Sequence, residues 1–365
     1  MGPLVIIAAG GTGGHMFPAR AFGDAIVARG GQVALITDPR GKRYTEGFPA
    51  KDILILPVTN ADEGGLRGKI DAGFAVMKSL SLVRPFMKDL HPDAIIGFGG
   101  YPTFPVLASS GKVPVLVHEQ NAVLGRVNRL FQGKAVAIAS GFAQLEGLDE
   151  PDKHVVVGNP VRQAIVNARL GGYPDLSSGD LRILVTGGSQ GARILGAVVP
   201  EAIAALPEHI RARLFVSHQV REEQCDGARD IYVQAGVGCE VWPFFKDMAD
   251  RLAKCHLVIG RAGASTVSET AVVGRPAILV PLPGATNDHQ TFNAKALASV
   301  GAADIIQEQA FTASKLTDLL GNRLTAPDEL QKRAKAAKSV GQPDAAEALA
   351  DLVYRAISQN QLAVA

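Results

Sequence analysis

Leu4-Val5-Ile6-Ile7-Ala8-Ala9, followed at once by Gly10-Gly11-Thr12-Gly13-Gly14-His15, is the stretch on which the fold turns. An unbroken apolar run reads as a parallel strand buried on both faces, and the glycines read as a turn that opens a helix. The device recurs about half a chain later, where Leu181-Arg182-Ile183-Leu184-Val185-Thr186 runs into Gly187-Gly188-Ser189-Gln190-Gly191. Such a turn leaves backbone N–H groups unpaired at a helix N-terminus, a setting that suits phosphate. Two of them predict two α/β domains facing each other, with a phosphorylated ligand held between them.

The bulk numbers agree. A chain of 365 residues is long for one core and comfortable for two. With 47% hydrophobic and 20% charged residues it is a packed protein rather than a disordered one. A net charge of only +2 argues against a nucleic-acid partner held by a broad basic field. Cys225, Cys239 and Cys255 are odd in number and lack CxxC spacing, which points to reduced thiols in the cytosol. No signal peptide is expected, because the first apolar run lacks a basic leader. The uncharged run from Ala94 to Lys112 is broken by Gly97, Gly99, Gly100, Pro102 and Pro105, so any membrane contact is expected from the surface.

Outward from the first stretch, short apolar runs alternate with helical patterns. Strands are expected at Leu4–Ala9, Gln32–Thr37, Ile53–Pro57, Ala94–Ile96, Val113–His118 and Ala135–Ala139, with helices at Pro18–Arg29 and Ile70–Leu90. Val155–Pro160 ends that domain, and the Gly-, Ser- and Asp-rich stretch from Gly171 to Asp180 is a loop before the next. The scheme repeats with Leu181–Thr186, Arg213–Ser217, Glu240–Trp242, Leu257–Ile259 and Ala277–Val280, and a helical tail from Asp328 to Ile357 packs back across the junction. Alternation of this kind implies a mainly parallel sheet in each half.

Ligands of open parallel sheets bind beyond the carboxyl ends of the strands. The segments there are Gly10–His15, Gly97–Tyr101, His118–Asn121, Gly187–Gly191, Gly260–Thr266 with Glu269, and Asn287–Gln290 with Asn293. Each has a plainer reading. Thr266-Val267-Ser268-Glu269 fits a capping box, Glu119 and Asn121 fit a helix cap, and His15 fits a polar residue satisfied by a carbonyl. A nicotinamide dehydrogenase is disfavoured: Asp38 stands where its acidic residue belongs, but Gly11-Thr12-Gly13-Gly14-His15-Met16 lacks the last glycine. A P-loop NTPase is disfavoured because neither glycine loop carries the lysine. A nucleotide-binding sensor without turnover shares the same fold features.

Together these segments closely resemble the MurG family of membrane-associated glycosyltransferases. The matching stretches are Gly10–His15, Gly97-Phe98-Gly99-Gly100-Tyr101-Pro102, His118-Glu119-Gln120-Asn121, Gly158-Asn159-Pro160-Val161-Arg162 and Gly187–Arg193. Arg261–Glu269 and Asp288-His289-Gln290 through Ala294 complete the set, in family order over nearly the whole chain. The His-Glu-Gln-Asn stretch also speaks against a diacylglycerol glycosyltransferase or a 2-epimerase on the same fold.

The resemblance implies an α/β protein of GT-B fold, two Rossmann-like domains facing across a cleft. Residues 1–160 would form the acceptor- and membrane-binding domain, joined by a C-terminal helix at about 341–365, and residues 161–340 the UDP-sugar domain. It implies a hexosyltransferase that moves N-acetylglucosamine from UDP-N-acetylglucosamine to the C4 hydroxyl of the N-acetylmuramyl unit of lipid I, with inversion. The product would be lipid II for peptidoglycan, and no metal or other cofactor is expected. In the donor pocket, Ser189, Ala264, Ser265 and Thr266 would face the diphosphate, with Val267 and Ser268 also among the donor-binding residues. Phe245 would lie beside the uracil through its backbone, Glu269 would hold the ribose hydroxyls, and Gln290 would reach the sugar. Thr12, Gly13, Gly14, Asn121 and Arg162 would complete that pocket.

His15 is the first candidate for the catalytic base and Glu119 the second; His15 binding acceptor phosphate is the alternative. Gly99, Gly100 and Tyr101 would meet the acceptor's pyrophosphate. Ile70, Phe74, Met77 and Leu80 recur at i, i+4, i+7 and i+10, with Arg67, Lys69 and Lys78 nearby. That stripe is either core or a patch that dips into an anionic bilayer. The implied place is the cytoplasmic face of a bacterial inner membrane, with other cell-wall and division proteins as partners and no nucleic acid.

Overall fold

The computed structural model describes residues 2–57, 65–177, 179–188 and 191–364. The chain divides into two compact units, Met1–Arg162 with Pro343–Ala365, and Gln163–Gln342.

The first unit runs β1 (Leu4–Ala8), α1 (Gly13–Ala28), β2 (Gln32–Thr37), β3 (Asp52–Ile55), α2 (Gly65–Leu90), β4 (Ala94–Gly97), α3 (Thr103–Ala108), β5 (Val115–Glu119), α4 (Arg126–Phe131), β6 (Ala137–Ser140) and β7 (His154–Val156). Its seven strands lie in the order β3-β2-β1-β4-β5-β6-β7, all parallel. All five residues of β1 are buried. Because side chains alternate along a strand, Val5 and Ile7 enter one core with Phe22 of α1, while Leu4, Ile6 and Ala8 enter the other with Val83 and Met87 of α2.

The second unit runs α5 (Gln163–Ala168), β8 (Leu181–Thr186), α6 (Arg193–Ala204), α7 (Glu208–Arg211), β9 (Leu214–Gln219), α8 (Cys225–Gln234), β10 (Gly238–Trp242), α9 (Met248–Lys254), β11 (Leu257–Gly260), α10 (Ala264–Val273), β12 (Ala277–Leu279), α11 (His289–Ala298), β13 (Ala303–Ile305), α12 (Ala313–Leu324) and α13 (Pro327–Val340). Its parallel sheet has the order β10-β9-β8-β11-β12-β13.

Three expectations need correction. The helical tail is two helices: α13 packs on α10, and α14 (Ala345–Val364) packs on α1. The break falls at Gly341, where an added Cβ would meet the Ala271 carbonyl oxygen at 2.4 Å, and at Pro343, which has no N–H to continue a helix. Strand β13 adds a sixth strand that no apolar run announces, because it is three residues long and carries Asp304, which is drawn there by Arg323 and Arg333. Strand β9 runs two residues past the expected Ser217, to Gln219.

Candidate active site

The crevice of a doubly wound sheet opens where strand order reverses. In the first sheet that point lies between β1 and β4, and in the second between β8 and β11. The glycine-rich segments sit at these two points.

In the first unit, Thr12 precedes α1 in extended geometry and its hydroxyl makes no capping bond. The first-turn amides of Gly13 and Gly14 therefore receive no acceptor from the Thr12 side chain. Asp38, fully buried, holds the turn from behind: its Oδ1 accepts from Gly11 N (3.2 Å) and Gly41 N (2.8 Å), and Arg40 closes on Oδ2 at 3.0 Å. The carboxylate that a dehydrogenase would offer to ribose is thus occupied by the turn itself. Gly99 and Gly100 have φ of +90° and +81°. A Cβ on Gly100 would stand 3.1 Å from the Gly10 carbonyl oxygen, so this loop lies against the first one. The Tyr101 hydroxyl meets Ser79 Oγ at 3.3 Å.

His15 sits in the first turn of α1, half-buried, with Nδ1 2.7 Å from the Gly10 carbonyl oxygen. A carbonyl only accepts, so Nδ1 carries the proton and Nε2 of the neutral ring keeps its lone pair. Nε2 lies 3.2 Å from where a Gly99 Cβ would stand, at the meeting of the two loops.

Glu119 is different. Its Oε1 accepts from Asn121 N (3.0 Å) and Asn121 Nδ2 (3.2 Å), and its Oε2 from Gly125 N and Asn128 Nδ2, both at 2.9 Å. A buried carboxylate with four donors is a loop brace, which counts against it as the base. His118 is fully buried, and burial pushes its pKa down to about 4. Its Nε2 donates to Gly158 O at 2.9 Å and its Nδ1 accepts from Gln120 Nε2 at 2.9 Å, while Asn159 Nδ2 donates to Gln120 O at 2.8 Å. The His-Glu-Gln-Asn motif is therefore largely a bracket that ties strand ends together. The Arg162 guanidinium stacks over Phe17 of α1, 5.1 Å from the ring centre.

In the second unit, α10 begins after Gly263, its N-cap, so Thr266 is the third residue of the helix. A capping box would need Thr266 outside the helix, and that reading of Glu269 falls. Ala264, Ser265 and Thr266 present the open first turn, and Ser265 Oγ is buried without a hydrogen-bond partner among the described residues. Val267 is core, and its N–H is taken by Gly263 O at 3.0 Å; Ser268 is also buried. Glu269 follows one turn along, half-buried. Arg261, the cation of this loop, is bound by the Val280 and Pro281 carbonyls, both at 3.1 Å, and by Glu308. It anchors the loop rather than facing a ligand. Asn293 Nδ2 donates to Ala262 O at 3.1 Å, tying α11 to the same loop.

Phe245 is buried beneath the Arg251 guanidinium, 3.8 Å from its ring centre. Arg251 is fixed in turn by Asp247 (2.9 Å), Ser217 Oγ (2.9 Å) and Glu240, so Phe245 offers its surroundings backbone only. Gln290 is the second residue of α11, and its Oε1 accepts from Leu282 N at 3.0 Å, which leaves Nε2 as the donor end of the amide. Just before it, Asn287 and Asp288 hold left-handed backbone (φ 55° and 52°), which these two residue types tolerate. His289 Nδ1 is engaged by Thr286 O at 2.8 Å. Ser189, with Gln190, lies outside the described residues.

The stripe on α2 is not core where it can be judged. Phe74 and Met77 are each 66% exposed and Leu80 is half-buried, whereas Ala75, Ser79, Val83 and Met87 face inward. The inward row is offset by one residue from the expected one. The side chain of Ile70 lies outside the described residues, as do those of Arg67 and Lys69.

Residues 5–140 match the glycosyltransferase family 28 N-terminal domain, and residues 182–349 match its C-terminal domain. A curated relative from Maricaulis maris (strain MCS10) is 48% identical over 353 residues, 95% of this chain and 96% of its own. It is named UDP-N-acetylglucosamine--N-acetylmuramyl-(pentapeptide) pyrophosphoryl-undecaprenol N-acetylglucosamine transferase. The protein of the same name from Caulobacter vibrioides (strain NA1000 / CB15N) is 48% identical over 360 residues, 97% of this chain and 99% of its own. Among solved structures, Acinetobacter baumannii MurG matches with a TM-score of 0.79 and 32% identity, covering 97% of this chain and 99% of that one. A UDP-N-acetylglucosamine 2-epimerase matches with a TM-score of 0.62 over 95% of this chain and 94% of its own; at 15% identity this is a likeness of fold alone.

Proposed function

The chain belongs to glycosyltransferase family 28, in its MurG branch, and from that premise we propose how its residues divide the reaction. The enzyme transfers N-acetylglucosamine from UDP-N-acetylglucosamine to the C4 hydroxyl of the N-acetylmuramyl unit of lipid I, with inversion, and so makes lipid II for peptidoglycan. In our reading the second unit takes the donor. The open turn of α10 at Ala264, Ser265 and Thr266, with Ser189, lies along the diphosphate, and Glu269 accepts from both ribose hydroxyls. The Phe245 backbone reads the uracil, and Gln290 Nε2 donates to the sugar. Thr12, Gly13, Gly14, Asn121 and Arg162 are the first unit's share of the donor contacts. Its Gly99-Gly100-Tyr101 loop takes the acceptor pyrophosphate.

During transfer the bond from the anomeric carbon to the diphosphate breaks, and the bond from the acceptor O4 to that carbon forms. Negative charge grows on the UDP leaving group. Amides already aligned at a helix N-terminus stabilise that charge without reorganising. The hydroxyl proton goes to His15 Nε2, and the single observation that carries this assignment is the 2.7 Å contact fixing the other ring proton on Nδ1. Glu119 has no oxygen without donors, so it positions the Asn121–Asn128 segment instead. No helix among the described residues is long and apolar enough to cross a membrane. We place the enzyme at the cytoplasmic face of the inner membrane, held there by the exposed Phe74 and Met77 with Lys78 beside them.

His15→Ala tests the base. Turnover is expected to fall on the order of a hundredfold or more while UDP binding stays within about threefold of the parent. Equal losses in turnover and UDP binding would instead give His15 a binding role.

A further inference from the structure

Strand β9 lies between β8 and β10, and its last residue, Gln219, is 3% exposed. The side-chain amide of Gln219 touches both neighbouring loops. Its Oε1 accepts from Thr186 Oγ1 at 2.8 Å, while its Nε2 reaches the Gly188 carbonyl at 3.1 Å and the Pro243 carbonyl at 3.3 Å. Two carbonyls on one side and a hydroxyl donor on the other fix the orientation of the amide. Thr186 continues the relay: its Oγ1 accepts from Gly188 N at 3.3 Å, and its carbonyl accepts from Arg261 N at 3.2 Å. One buried amide thus joins the glycine loop after β8, the loop that carries Phe245 after β10, and the start of the segment leading into α10. All three leave the carboxyl end of the sheet.

We propose that Gln219 is a positioning residue for the donor nucleotide. It sets the distance between the loop that reads the base and the loops that hold the diphosphate, so that both ends of one UDP are engaged together. This rests on the reading of the second unit as the donor domain. The physical reason is preorganisation: three surface loops held by shared buried hydrogen bonds need no ordering when the ligand arrives. Leucine matches glutamine in size but makes no hydrogen bond, so Gln219→Leu would leave the Gly188 and Pro243 carbonyls unheld and the loops free to separate. Gln219→Glu would keep the acceptor for Thr186 but set a carboxylate against two carbonyl oxygens. Both changes lie within the second unit.

The test is UDP affinity by calorimetry on the full chain, with KM measured separately for UDP-N-acetylglucosamine and for a soluble lipid I analogue. Gln219→Leu is expected to raise the UDP Kd and the donor KM about tenfold, with the acceptor KM within about twofold of the parent. Thr186→Val should act in the same direction and more weakly, and adding it to Gln219→Leu should cost little more, because both cut one relay. A folded Gln219→Leu with unchanged UDP Kd and donor KM would overturn the inference, as would equal losses for both substrates. If Gln219→Leu does not fold, Thr186→Val carries the same test with the same two outcomes. A parent chain that fails to bind UDP would overturn the donor reading beneath it, which is a separate result from an unmoved variant of a binding parent.

Discussion

At the scale of single residues, the two acidic candidates occupy different places. Glu119 is ringed by four donors, whereas Glu269 stands one turn into a helix whose first turn is open. Glu269→Ala is accordingly expected to raise the donor KM at least tenfold, roughly the loss of a charge-assisted pair, with little change for the acceptor. Measured donor and acceptor KM values check it, and an unchanged donor KM would leave Glu269 a structural residue. The sequence shows which residues end the strands, because glycines and polar residues follow apolar runs. It does not show which of those residues brace and which bind. The partners of Glu119 lie up to nine residues away, at Gly125 and Asn128, and the carbonyl that takes the proton of His118 is forty residues away, at Gly158. Gln219 carries no sequence signal for a simpler reason: the apolar run that marks the strand ends at Ser217, short of the residue that joins the loops.

At the scale of elements, hydrophobic runs were enough to find the long buried strands and α1, while short or mixed elements were hidden. Strand β13 carries a charge at its centre, and the break between α13 and α14 rests on two residues, Gly341 and Pro343. Nor does the sequence announce Arg275, which is fully buried. Its guanidinium donates to Leu252 O and Ala253 O at the end of α9, to Val273 O and Gly274 O at the end of α10, and to Gly172 O. It satisfies the open carbonyls of two helix C-termini, where a cation also suits the helix dipole. On α2 the apolar stripe has the spacing of a core face, and only the fold shows that Phe74 and Met77 point to solvent. Phe74→Asp is therefore expected to lower binding to anionic phospholipid vesicles several-fold without shifting the unfolding midpoint, since an exposed substitution disturbs little packing. Global unfolding of the variant, or undiminished vesicle binding, would argue against the patch.

At the scale of the whole molecule, each unit carries a fully buried histidine next to the last residue of an inner strand. Burial lowers His118 to about 4 in the first unit and His218 to about 3 in the second, from 6.5. The unfolded chain takes up these protons as pH falls below about 6.5, while the folded units resist until they reach their own lower values. Stability is unaffected above that range and is lost progressively on acidification, by about 3 kcal/mol for His118 alone. Urea unfolding midpoints should therefore fall steadily between pH 7 and pH 4.5, and a flat profile would contradict the buried neutral rings.

Every residue role above depends on transfer of N-acetylglucosamine from the nucleotide to the lipid-linked acceptor. Its most direct test is UDP release from UDP-N-acetylglucosamine with and without a short-chain lipid I analogue, with UDP-N-acetylgalactosamine and UDP-glucose as controls. Release is expected to depend on the acceptor and to favour the N-acetylglucosamine donor strongly. Donor binding without acceptor-dependent release would contradict it.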